Sequence, residues 1–233
     1  MYWTVRHLTK TYGRITALTD VTFSVRPGEV LGLIGPNGAG KTTLFECMAG
    51  VLPYDAGVVS LDGMPLPARA RALHVFYLPD AIAPWPAQTV AWALDFTVGF
   101  FGGNPAARPD VVERLGLAPL LGSPIGTLSK GQRKRAMLAI GLLTPHPLLL
   151  ADEPFDGLDL RQTREVSAAL RAHAAAGRTL FLSIHQIADA ARVCDRFVLL
   201  SGGRVCAEGT VAELAQRVDT NTADLEELFL ALT

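Results

Sequence analysis

Residues 35–42 read Gly-Pro-Asn-Gly-Ala-Gly-Lys-Thr, a full GxxxxGK[ST] pattern, and this stretch restricts the fold more than any other. The pattern needs a strand that ends, a tight glycine turn and a helix that starts, in that order. Both flanks meet the requirement. Val30, Leu31, Leu33 and Ile34 form the short aliphatic run of a buried parallel strand, and Thr43-Leu-Phe-Glu-Cys-Met-Ala reads as the helix that follows. Gly35, Gly38 and Gly40 let several backbone N–H groups converge on one anion, with Pro36, Asn37 and Ala39 completing the loop. The positive end of the new helix reinforces that cradle. Lys41 then reaches the β- and γ-phosphates as a point charge, the Thr42 hydroxyl is placed to ligate Mg²⁺, and Thr43 supplies a further hydroxyl to phosphate. A glycine-rich turn that merely precedes a helix is the bland alternative, and the agreement of every fixed position with both flanks argues against it. A phosphate loop identifies a nucleotide site but leaves GTPases, kinases, helicases and transport ATPases open.

Residues 148–154, Leu-Leu-Leu-Ala-Asp-Glu-Pro, form an apolar strand ending in two acids. Open α/β sheets bind ligands at the carboxyl ends of their strands, so Asp152 is a candidate to hold Mg²⁺, directly or through water, as a Walker B residue. Glu153 would point to the opposite side if the strand continued. Pro154 ends the ladder and frees Glu153 to polarise an attacking water. A solvated acid pair at a strand end is common by itself, and it carries meaning here because a phosphate loop accompanies it.

Leu128-Ser-Lys-Gly-Gln132 places a serine and a glycine at a helix start, a second phosphate-binding geometry, ahead of Arg133, Lys134, Arg135 and the apolar run Ala136 to Leu143. One nucleotide needs one cradle, so a second makes sense if it completes the site of another subunit. With these residues the sequence resembles the ATP-binding-cassette ATPase family, whose signature is commonly Leu-Ser-Gly-Gly-Gln, over nearly the whole chain. The resemblance implies ATP and Mg²⁺ as ligands, with Ser129, Lys130, Gly131 and Gln132 serving a partner's nucleotide. Tyr12 stands where the family stacks an aromatic ring on adenine, Phe155-Asp-Gly-Leu-Asp159 matches the D-loop, and Ser183-Ile-His185 brings the switch histidine. By the same resemblance Lys41, Glu153 and His185 are the catalytic residues, Asp159 joins the nucleotide contacts, and the metal set is Thr42, Asp152 and Asp80.

Two positions depart from the family pattern. Lys130 puts a cation where the signature has glycine, beside the expected γ-phosphate cradle. Asp80, at the end of Val75-Phe-Tyr-Leu-Pro-Asp, stands where the family places a glutamine that contacts the metal and senses the membrane partner. Aspartate keeps an acceptor oxygen but is shorter, anionic and without the amide donor.

The chain of 233 residues is long enough for a large core, and its net charge of −1 gives no support for nucleic acid as a principal partner. The Arg133-Lys134-Arg135 cluster reads as a solvated or nucleotide-facing side of a helix start. Cys47, Cys194 and Cys206 lack metal spacing and cannot all pair, which favours a reducing cytosol. Met1-Tyr-Trp-Thr-Val opens with a strand pattern rather than a signal peptide. Strands are expected at 2–8, 17–25, 30–34, 58–61, 73–78, 148–152, 179–184, 197–201 and 204–208, the last two joined as a hairpin through Gly202-Gly203. Helices are expected at 41–50, 160–176 and 186–193, with terminal ones at 210–217 and 222–232. The alternation predicts an α/β fold: a P-loop NTPase with a mostly parallel sheet, an N-terminal antiparallel β subdomain and a helical subdomain near 81–143, all within one ATP-binding domain spanning 1–233. No internal repeat is found, so a second nucleotide-binding unit has to come from another chain, identical or not.

From Ala81 to Ala107 the charged residues reduce to Asp95, while Trp85, Trp92, Phe96, Phe100 and Phe101 crowd in. A transmembrane helix is rejected, since Pro84 and Pro86 break its start, Gly102-Gly103 ends it and Asp95 would lie near its middle. A buried core helix explains part of the pattern. By resemblance, this is also where cassette ATPases receive the coupling helices of a membrane subunit. The functional reading is an ATP-hydrolysing subunit that works as a homodimer or heterodimer with a separate transmembrane permease on the cytoplasmic face of the cell membrane. Residues 224–233 resemble cassette subunits of export-type permeases, and equally suit a terminal helix packed through Leu225, Leu228 and Leu232. The alternatives are a non-transport cassette ATPase and a low-turnover nucleotide-dependent regulatory module.

Overall fold

The structure, a computed structural model, describes residues 1–218 and 224–233. Its N-terminal part comprises strands β1 (Trp3–Tyr12), β2 (Ile15–Val25) and β3 (Val30–Ile34), helix α1 (Lys41–Ala49), strands β4 (Ala56–Leu61) and β5 (Met64–Pro65), the single turn α2 (Ala68–Arg71) and strand β6 (Val75–Leu78). Helices α3 (Val90–Phe101), α4 (Arg108–Arg114) and α5 (Lys130–Leu143) follow. The chain then alternates through β7 (Leu148–Asp152), α6 (Leu160–Ala175), β8 (Thr179–Ile184), α7 (Ile187–Val193), β9 (Arg196–Ser201) and β10 (Arg204–Gly209), and closes with α8 (Val211–Arg217) and α9 (Leu225–Leu232).

Two sheets result. A four-stranded sheet in the order β2-β1-β4-β5 is antiparallel, with Tyr12 paired to Ile15 across the Gly13 turn. A six-stranded sheet in the order β10-β9-β3-β8-β7-β6 is parallel except for β10, which returns through Gly202-Gly203. Strand β3 lies inside that sheet with every residue buried, which is why it reads as an unbroken apolar run rather than an alternation. Its side chains divide: Leu31 and Leu33 enter the core shared with the antiparallel sheet and α1, while Val30 and Ile34 enter the core shared with the helices beyond.

The parallel direction has a functional consequence. The segments leaving β3, β8, β7 and β6 all emerge at one sheet edge, so the phosphate loop, His185, Glu153 and Asp80 are brought there in that order across the strands.

The first hairpin is longer than expected, because β1 continues to Tyr12 and β2 begins at Ile15 rather than Ala17. The strand expected over 73–78 is confined to Val75–Leu78, and β5, α2 and α4 had no counterpart in the sequence expectation. Of the terminal helix expected over 222–232, residues 222 and 223 lie outside the described residues, and the rest forms α9, with Leu225 and Leu228 buried. Of the basic triplet, read as a solvated or nucleotide-facing side of a helix start, two members leave the solvated face. Lys134 and Arg135 are buried, and Arg135 donates from Nη1 to the Leu115 carbonyl at 2.9 Å, fastening the end of α4 to α5. Arg178 does similar work at the other end of α5, donating to the Leu142 and Gly141 carbonyls at 2.7 and 2.8 Å. Those carbonyls have no partner inside the helix.

Phe181 of β8 lies at the centre of the inter-sheet core, fully buried, with its ring centroid 4.9 Å from that of Phe45 and 5.4 Å from that of Phe23. Truncation there removes contacts to α1 and β2 together. Phe181→Ala is expected to lower unfolding stability by about 3–5 kcal/mol in a denaturant titration; a loss below ~1 kcal/mol would mean that the two layers do not depend on this contact.

Candidate nucleotide site

The phosphate loop has the conformation its glycines permit. Gly40 has φ 103°, and a Cβ there would come within 2.7 Å of the Ala17 carbonyl oxygen. Gly35 approaches closer still, since a Cβ would lie 2.3 Å from the Leu200 carbonyl oxygen. The loop is therefore clamped between β2 and β9, and Gly203 donates to the Ala39 carbonyl at 3.1 Å to hold its far side. Lys41 is the first residue of α1, yet its ammonium folds back over the loop and donates to the Gly35 carbonyl at 2.7 Å. The same nitrogen lies 3.6 Å from Glu153 Oε1, so the loop's cation and the acid of β7 face one another.

Asp152 ends β7 with both oxygens in use. Thr42 donates from Oγ1 to Oδ2 at 2.7 Å, and Ser183 donates from Oγ to Oδ1. The Ser183 hydroxyl also accepts from the Glu153 N–H at 3.1 Å. Glu153 itself departs from the strand with φ 49°, the left-handed region that non-glycine residues rarely occupy. This kink redirects its side chain to the cleft, where Oε2 accepts from the His185 N–H at 3.0 Å. Burial raises the Glu153 carboxyl above its ordinary pKa, with the Asp152 charge adding to the rise and Lys41 opposing it.

Two adjoining clefts surround these groups. One of about 360 Å³ is lined by the phosphate loop, Lys41, Thr42, Thr43 and Asp152. The other, of about 300 Å³, carries Phe155, Asp156 and His185, and the two share Asn37, Asp80 and Glu153. The donor set fits Mg²⁺: the Thr42 hydroxyl and the Asp152 carboxylate are hard oxygen ligands already in contact. Among the described residues no group of three or more His, Cys, Asp or Glu side chains could hold a metal alone.

Asp80, expected as a metal ligand, lines both clefts, and its Oδ1 is 2.6 Å from Lys134 Nζ. Ser129 and Gln132 cap α5 reciprocally, Ser129 Oγ accepting from the Gln132 N–H at 3.3 Å and Gln132 Oε1 accepting from the Ser129 N–H at 2.9 Å. Lys130 pairs with Asp156 at 2.5 Å, and a Cβ on Gly131 would meet the Gly157 carbonyl oxygen at 2.6 Å. The start of α5 is thus packed on the turn after Glu153, and residues 129–132 line neither cleft. Asp159 caps α6, accepting from the Gln162 N–H at 2.8 Å. Tyr12, at the end of β1, is 45% exposed under the Lys10 ammonium and also outside the clefts.

Sequence reasoning gave no role to Ser183 or Lys134. The signal for Ser183 was available: it is a polar residue in a buried apolar strand, and it stands in register with Asp152. The basic triplet pointed away from a buried role for Lys134.

A family model described as ABC transporter matches residues 18–156. Nod factor export ATP-binding protein I of Rhizobium etli is 35% identical over 213 residues, covering 89% of this chain and 67% of that protein. The hemin import ATP-binding protein HmuV of Thermobifida fusca is 36% identical over 221 residues, covering 90% of this chain and 77% of that one. Among solved structures, the ATP binding subunit of an ABC transporter is 31% identical with a TM-score of 0.90, covering 100% of this chain and 99% of the other. A bacterial Atm1-family ABC exporter with ATP bound shares the fold, at 21% identity and a TM-score of 0.83 over 98% of this chain and 41% of that one.

Ser183→Ala should cost about 1–3 kcal/mol of unfolding stability, because it strips a donor from a buried carboxylate. Chemical denaturation in parallel with the parent chain checks this. An unchanged midpoint would mean that Asp152 is held by Thr42 alone.

Proposed function

The chain belongs to the ABC transporter family as an ATP-binding, ATP-hydrolysing subunit, and on that premise we propose how its residues divide the work. ABC ATP-binding subunits act with transmembrane components and dimerise. In our reading the cleft over the phosphate loop binds the triphosphate, Lys41 neutralises its terminal oxygens, and Glu153 orients the water that attacks the γ-phosphate. The observation that carries this is the placing of Glu153: kinked out of β7 at φ 49°, held by the His185 N–H and 3.6 Å from Lys41. A carboxylate so fixed opposite the phosphate cation can receive a proton from water without moving. Thr42 and Asp152 would hold Mg²⁺, which would supply neutralisation of the phosphate charge. The His185 side chain lines the same cleft as Glu153 and is assigned to the γ-phosphate.

Residues 129–132 are assigned to the nucleotide of a second copy or of a related subunit. Their exclusion from both clefts supports this, because a cradle that cannot reach its own chain's phosphate loop is free to serve another. Tyr12, exposed at its hairpin, is assigned to the adenine ring, and Asp159 to the turn that accompanies the signature.

We further assign the outer face of α3 to the membrane subunit. Trp92 stacks on Phe96 with centroids 5.0 Å apart, Phe96 stacks on Phe100 at 5.4 Å, and Trp85 meets the first two edge-on. These rings stay 37–70% exposed although they touch one another, an apolar stripe that suits a protein partner. No helix among the described residues is long and apolar enough to cross a membrane. On the strength of the exposed aromatic stripe, the chain is assigned to the cytoplasmic face of the membrane, beside a separate permease. Residues 1–233 are taken as one ATP-binding domain whose helical part is approximately 81–143. The Nod factor relatives favour export and the hemin relative is an importer, so the substrate is assigned to the permease.

Glu153→Gln is expected to bind ATP as the parent does while hydrolysing it ~10²-fold more slowly, since the water loses its oriented base and the phosphate loop stays intact. Steady-state phosphate release, with a sizing column to detect an ATP-held dimer, checks both halves. Turnover at the parent rate would remove Glu153 from the chemistry.

A further inference from the structure

Lys134 is a lysine with 6% of its surface exposed, placed in the second turn of α5. Burying an ammonium is costly unless an opposite charge compensates it. Its partners are both on one residue: Asp80 Oδ1 at 2.6 Å and the Asp80 carbonyl at 3.3 Å. Asp80 in turn sits on the loop leaving β6 and lines both clefts of the nucleotide site, with 41% of its side chain still open. The pair is thus the place where a charge from the helical layer enters the wall of the site.

The charge balance of that wall makes the pair consequential. The clefts are lined by the carboxylates of Asp80, Asp152, Glu153, Asp156 and Asp189 and by the ammonium of Lys41, with His185 beside them. Asp156 and Asp189 are paired with Lys130 and Arg192, which lie outside the clefts. An ATP polyphosphate entering there would meet a net negative wall. Lys134, paired with Asp80, cancels the charge of one of these acids and fixes where that carboxylate stands. We propose that Lys134 is a positioning residue for the ATPase site, holding Asp80 in place and neutralising it toward the incoming triphosphate. It rests on the assignment of these clefts to ATP.

The two partners then have opposite effects on nucleotide binding, which a purely structural ion pair would not produce. Removing the cation leaves an uncompensated acid facing the phosphates, and removing the acid leaves an uncompensated cation. With a fluorescent ATP analogue in EDTA at low salt, Lys134→Met should weaken equilibrium binding and Asp80→Asn should strengthen it, each by about three- to tenfold, with the effect shrinking in salt. The double variant Asp80→Asn/Lys134→Met should return close to the parent, and Lys134→Arg should match the parent because it keeps the charge. If Lys134→Met does not fold, Asp80→Asn, the double variant and Lys134→Arg still decide the matter. The inference is overturned if the two single variants shift affinity in the same direction, or leave it unchanged while lowering the melting temperature. Lys41→Ala in the same titration separates the two levels: undiminished binding there would remove the ATP assignment itself, whereas lost binding there with same-sign shifts at 80 and 134 removes only the role of Lys134.

Discussion

The arrangement around the sheet edge depends on Asp152. Its carboxylate accepts from Thr42 of α1 on one side and from Ser183 of β8 on the other, so one side chain joins the phosphate-loop helix to two neighbouring strands. A buried carboxylate is tolerated only with such donors. Because both its oxygens are held, the chain direction at Asp152 is fixed. The Ser183 hydroxyl then also receives the next N–H, that of Glu153, which starts the turn out of the strand. The unusual backbone at Glu153 follows from that anchoring, and it is what aims a second acid at Lys41 rather than into the core. An oxygen pair suited to Mg²⁺ and a carboxylate suited to water activation are thus set one residue apart by a single hydrogen-bonded cluster.

Much of this was legible in the sequence, for local reasons. The phosphate loop announces itself because glycine is required where backbone meets backbone, and β3 and β7 announce themselves because strands buried on both faces leave no polar alternation. The helices over 41–49, 160–175 and 187–193 followed from periodicity, and Gly202-Gly203 marked the last hairpin. What escaped notice depends on contacts between residues far apart. Arg135 and Lys134 look like a solvated basic cluster until α4 and the loop after β6 are folded against them. Asp80 was readable as a departure at a sensor position, but its partner 54 residues away was not. The aromatic run near α3 was ambiguous between core and surface because it is both: Val90, Leu94 and Val98 are buried while Trp92, Phe96 and Phe100 form the exposed stack.

In the proposed reading the chain carries two phosphate-binding devices, and residues 129–132 line neither cleft of their own chain. The first is the phosphate loop with Lys41, Thr42 and Glu153; the second is the start of α5, whose capping box and packing on Gly157 make it rigid before any ligand arrives. Rigidity there costs nothing further on association, so the second device is preorganised for a surface outside its own clefts. The central claim is that a competent hydrolytic site needs one device from each of two copies. Mixing tests it most directly. Ser129→Arg and Lys41→Ala chains should each be inactive alone, whereas their heterodimer contains one site built from an intact phosphate loop and an intact Ser129, and ATPase activity should reappear on mixing. Full turnover by Ser129→Arg alone, or no recovery in a mixture shown to contain heterodimers, would contradict the account.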